Sequence, residues 1–78
     1  MNYPQYQIGD ILACMNTNNK DILFLVKITN ISDNVLTTII IKTIKPAYNQ
    51  YLHNSLYFTL SNNYNLRQLT PLEKIKYL

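Results

Sequence analysis

Residues 22–45, ILFLVKITNISDNVLTTIIIKTIK, constrain the fold more than any other part of the chain. The middle of this run is dominated by β-branched and aliphatic residues. β-Branched side chains lose rotamer freedom in a helix and pack well on a pleated sheet. A helix would need apolar residues at three- and four-residue spacing with polar ones between, and the run has no such stripe. Asp33-Asn34, near its centre, is a turn-forming pair. The run therefore predicts one long hairpin, with strands over 22–31 and 35–45. On the first strand Phe24, Val26 and Ile28 share a face, with Lys27 and Thr29 opposite. From 22 to 26 that strand is apolar on both faces. Either both faces are covered, or one is exposed and pairs with another chain. On the second strand Leu36, Thr38, Ile40, Lys42 and Ile44 alternate with Val35, Thr37, Ile39, Ile41 and Thr43. The alternation fails at 39–41, which predicts a bulge or sharp bend there.

The remaining elements are shorter. Residues 1–7 are a polar, aromatic lead-in, with Tyr3 and Tyr6 placed across an open end of the core. A first strand covers 8–15, entered by a bend at Gly9-Asp10. Residues 16–21, NTNNKD, are a polar turn. Pro46 ends the long hairpin because it cannot donate to a ladder. Residues 47–55 form a loop or one or two helical turns. A fourth strand covers 56–60, a turn 61–65 and a fifth strand 66–69. Thr70-Pro71-Leu72-Glu73 is a capping box with proline at the first helical position, so a short helix runs from there to Leu78. Leu72, Ile75 and Leu78 share one side of it and are expected to plug a barrel end.

These elements define one domain, 1–78, of all-β class: a small five-stranded antiparallel barrel with a short C-terminal helix. Three parts carry a family resemblance. They are the entry Gly9-Asp10, the hairpin 22–45 and the ending Leu66-Arg67-Gln68-Leu69-Thr70-Pro71-Leu72-Glu73. With these the chain resembles the SH3-like barrel family, as do small phage-encoded proteins with a G-D entry and an R-x-(L/A)-T-P-x-E tail. Residues 47–55 depart from it, standing where a tight turn is usual. The resemblance implies a binding module and leaves its ligand open. The abundance of Ile, Asn, Lys and Tyr, all encoded by A/T-rich codons, points to a low-GC bacterium or a virus infecting one.

Composition narrows the chemistry. A chain of 78 residues buries only about 60% of its unfolded surface. Cys14 is the sole cysteine, so no internal disulfide forms, and Cys14 with His53 cannot complete a cysteine-rich zinc site. Cys14 reads as a small buried residue. Asp10, Asp21, Asp33 and Glu73 all fall at predicted turns or a helix start, where capping explains them. His53 reads as a loop residue, and a single glycine excludes a phosphate-cradling loop. No enzyme, cofactor or metal is therefore expected. The start at Met1 lacks a cationic, apolar signal, and no apolar run reaches the ~18 residues of a membrane span. The chain reads as cytoplasmic, of the host cell if viral.

Two kinds of partner remain. The tyrosine- and asparagine-rich stretch 47–57 carries little charge and suits a protein interface. Tyr48, Tyr51, Tyr57 and Arg67 are its expected contacts, with a host factor, a host immune protein or a second copy as partner. Sequestration of a nucleotide signal is a counter-defence variant of the same idea. The alternative is nucleic acid, bound by Lys27, Lys42, Lys45 and Arg67 beside Tyr51, Tyr57 and Tyr64. The net charge of +3 permits a polyanion without requiring one.

Overall fold

The computed structural model describes residues 6–60 and 65–78. The expectations for Tyr3, Tyr64 and the turn at 61–64 lie outside the described residues. Five strands form one antiparallel sheet in the order β4-β3-β2-β1-β5: β1 Ile11–Met15, β2 Ile22–Ser32, β3 Val35–Thr43, β4 Ser55–Thr59 and β5 Leu66–Gln68. A 3-10 helix, Pro46–Tyr51, fills part of the β3–β4 connection, and helix α1 spans Pro71–Tyr77. The strands follow the expected order with ends moved by a few residues. β1 starts later than 8 because Gly9 turns at φ +97. The lead-in still reaches the ladder, since Gly9 N–H donates to Ile28 O at 2.8 Å. No ladder joins β4 to β5 among the described residues, so the sheet is open at both edges. β5 has only three residues, and all of them pair with β1.

The long hairpin forms as its composition requires. β2 and β3 pair around a two-residue turn in which Asp33 takes φ +55. Over 22–26 both faces of β2 are covered. Phe24, Val26 and Ile28 join Leu12, Cys14, Leu36, Ile40 and Leu66 in the main core. On the opposite face Leu25 is buried with Ala13 and Leu69, flanked by Ile22, Ile41, Ile44 and Tyr77. Of the two readings of 22–26, the covered one holds and the exposed, chain-pairing one is corrected: β2 is central, with β1 and β3 on either side.

Bulges let one strand serve both cores. Leu25 pairs with Lys42 but Val26 pairs with Ile40, so Ile41 is an extra residue. This is the irregularity expected at 39–41. It breaks the face drawn from Leu36 to Ile44: Lys42 passes to Leu25's side, and Ile44 joins the second core. A second shift makes Leu23 extra, between Cys14↔Phe24 and Met15↔Ile22. Leu23 accordingly packs on the main core beside its neighbour Phe24.

The plug expected of α1 is also corrected. The capping box forms, with Thr70 Oγ1 accepting from Glu73 N–H and Glu73 Oε1 accepting from Thr70 N–H. At roughly 3.6 residues per turn, Glu73 and Tyr77 share a side, and these two face the body of the protein. Glu73 meets Arg67 and Tyr77 packs on the second core. Leu72, Ile75 and Leu78 are left pointing outward, 78%, 81% and 62% exposed.

Candidate interaction surfaces

Each residue expected to make contacts has a definite place. Tyr48 sits in the 3-10 helix, half-buried, packed on the main core with its ring edge-on to Phe24 at 5.9 Å. Its first duty is to close that end of the core. Tyr51 lies beside it, ring centres 6.0 Å apart, and is exposed. Tyr57 projects from edge strand β4 on the face away from the main core, 68% exposed and opposite Thr37. His53 adopts φ +73 in the exposed turn before β4, its N–H donating to Ile40 O.

Arg67 stands on the other edge strand. Its Nη1 and Nη2 donate to Glu73 Oε1 and Oε2 at 2.6 Å each, and Nη1 also reaches Gln68 O. This bidentate pair pins the first turn of α1 to β5. The structure does not bring Arg67 together with Tyr57, since β5 and β4 are opposite edges. Arg67's hydrogen bonds to Glu73 raise its own pKa and, with the Thr70 N–H, hold the Glu73 carboxyl down at about 2, against an ordinary 4.5. A depressed carboxyl stabilises the fold fully above its unfolded pKa. That contribution fades as pH falls from 4.5 toward 2. We expect α1 and the Tyr77 contact to loosen in that window before the sheet does, as read by NMR shifts. Glu73→Gln should remove the pH dependence of those shifts.

Among the lysines, Lys45 pairs loosely with Asp21 at 3.6 Å. Lys27 and Lys42 have no ion-pair partner among the described residues. Both belong to the sheet face away from the main core, Lys27 between Ile11 and Ile39, and Lys42 opposite Leu25. Tyr57 shares that face through Thr37. The structure thus places Lys27, Lys42 and Tyr57 on one side. Cys14 is buried, and burial pushes its thiol up to about 11, so it is a core residue with little thiolate character.

Sequence reasoning missed the outward stripe of α1. Pro71, Leu72, Ile75 and Leu78 line its solvent side, and Ile8 is a further exposed apolar residue, at 64%. An open cleft of about 380 Å³ lies between α1 and the entry to β1, with Gly9, Ile11, Leu69, Lys74 and Leu78 in its walls. The signal was present in the helix itself. Tyr77 and the leucine–isoleucine stripe are two apolar faces on seven residues, and only one can meet the sheet. Glu73, four residues before Tyr77, marks the side that does, once its bond to Arg67 is known.

No helix among the described residues is long and apolar enough to cross a membrane. No protein-family model matches the chain, and neither a curated protein nor a solved structure matches it.

Proposed function

We propose that this chain is a non-enzymatic binding module of SH3-like type that works by protein–protein contact through α1. The carrying observation is the outward stripe of Leu72, Ile75 and Leu78 on a helix pinned to the sheet by Arg67–Glu73. Isolated exposed apolar residues are ordinary, but several on one short rigid element suit a partner's groove. Lys74 and Lys76 flank the stripe, so the matching surface is an apolar groove with carboxylates at its rim. The strand order, with β5 returning to β1, supports the SH3-like assignment. The abundance of Ile, Asn, Lys and Tyr is compatible with a viral or phage accessory protein of a low-GC host, for which a host factor or immune protein is the natural target. Tyr51 and Tyr57 remain available as further contacts, while Tyr48 and Arg67 already have internal partners.

A second reading rests on Lys27 and Lys42, unpaired among the described residues on the face that also carries Tyr57. That combination suits single-stranded nucleic acid. The two readings separate by substitution. Leu72→Asp with Ile75→Asp changes only exposed positions, so the folding free energy should move by no more than about 0.5 kcal/mol per site. Pull-down of the protein partner by the purified chain should be lost with the pair. Unchanged capture would reject α1 as the contact.

A further inference from the structure

β4 is an edge strand without the usual protections against pairing. It has no lysine, no proline and no bulge, and its register with β3 runs unbroken from Val35↔Thr59 to Ile39↔Ser55. Two flanking bonds fix which of its backbone groups face out. Leu60 N–H donates to Asn34 O, and Ile40 N–H to Asn54 O, both at 2.9 Å. Hydrogen-bonded pairs alternate along an antiparallel ladder. Leu56 and Phe58 therefore turn their N–H and C=O toward β3. Ser55, Tyr57 and Thr59 turn theirs outward, where none has a backbone partner among the described residues.

We infer that a second copy of this chain pairs β4 against β4, antiparallel, about a two-fold axis through Tyr57. In that register Ser55 faces the partner's Thr59, and Tyr57 faces the partner's Tyr57. Every facing pair then has outward groups on both strands, so three N–H and three C=O groups per chain are all satisfied. A one-residue slip sets outward groups against inward ones and loses the ladder. On the inner face Leu56 meets the partner's Phe58. Both side chains are half-buried at the rim of the main core, and the pairing extends that core across the axis. Charge favours the same occupant. No Lys, Arg, Asp or Glu lies between Lys45 and Arg67, so two chains of charge +3 meet there without facing like charges. β4 is thus its own complement in register, apolar pairing and charge. This surface is distinct from the α1 stripe and stands whether or not that stripe binds a partner.

Light scattering across a dilution series, combined with amide exchange, tests the pairing. The parent chain should show twice the mass of one chain, with slow exchange at Ser55, Tyr57 and Thr59. Tyr57→Lys sets two ammonium groups on the axis at an exposed position. The mass should halve and the three amides should exchange fast, with the circular dichroism unchanged. Tyr57→Phe should remain dimeric. A parent of single-chain mass at every concentration overturns the inference. So does a dimer that survives Tyr57→Lys, or a chain that pairs only when a foreign extended peptide is added.

Discussion

Replacing Leu25 with alanine should cost more stability than any surface change in the chain, about 2–5 kcal/mol. Leu25 is fully buried on β2, between Ala13 of β1 and the β3 bulge, and it forms the centre of the smaller core with Ala13 and Leu69. That core has little else to rearrange into the space, because Tyr77 covers it from a helix held in place by Arg67–Glu73. Small domains are stable by roughly 5–15 kcal/mol and short chains lie at the low end, so the loss is a large share of the total. With urea slopes of roughly 1–2 kcal/mol per M for chains this small, the unfolding midpoint should fall by about 1–5 M. A fall of less than about 0.5 M on the same slope would mean that the second face of β2 is not the packed layer described above.

Tyr48→Ala should cost clear stability, and Tyr51→Ala should be nearly silent. The two rings are neighbours in one short helix, yet their surroundings differ. Tyr48 lies against Phe24 and the main core, whereas Tyr51 is exposed. Removing a fully buried aromatic costs about 3–5 kcal/mol. Tyr48 is half-buried, so about 1–3 kcal/mol is expected on the same scale, against no more than about 0.5 kcal/mol for Tyr51. Thermal unfolding of both variants decides it. Equal losses would mean that the 3-10 helix seals the core as a unit. No loss from either would make Tyr48 a free contact residue.

The difference between Tyr48 and Tyr51 shows where sequence reasoning ends. Periodicity separates Val26 from Lys27, because strand alternation is local, and it flagged the bulge at Ile41 through the failed alternation. The cap at Thr70 and Glu73 was readable because capping is also local chemistry. Which side of α1 meets the sheet was not readable, since it depends on Arg67, a residue on another element. Nor could the sequence tell that 22–26 lies between two cores rather than at an edge. That follows from strand order, which sets β1 on one side of β2 and β3 on the other. The unprotected edge at β4 emerged only when the same order left it without a neighbour.

Besides the β4 edge, two surfaces follow from this architecture, with different chemistry. The α1 stripe is convex, apolar and flanked by lysines, and it suits a groove on another protein. The far sheet face carries Lys27, Lys42 and Tyr57 and suits a polyanion. The binding-module account rests on the first. A photoreactive residue introduced at position 75, and separately at position 27, tests it inside cells that express the chain. The account predicts a protein crosslink from position 75 that disappears when Leu72 is replaced by aspartate, with none from position 27. Crosslinks to nucleic acid from position 27, with none from position 75, would contradict it.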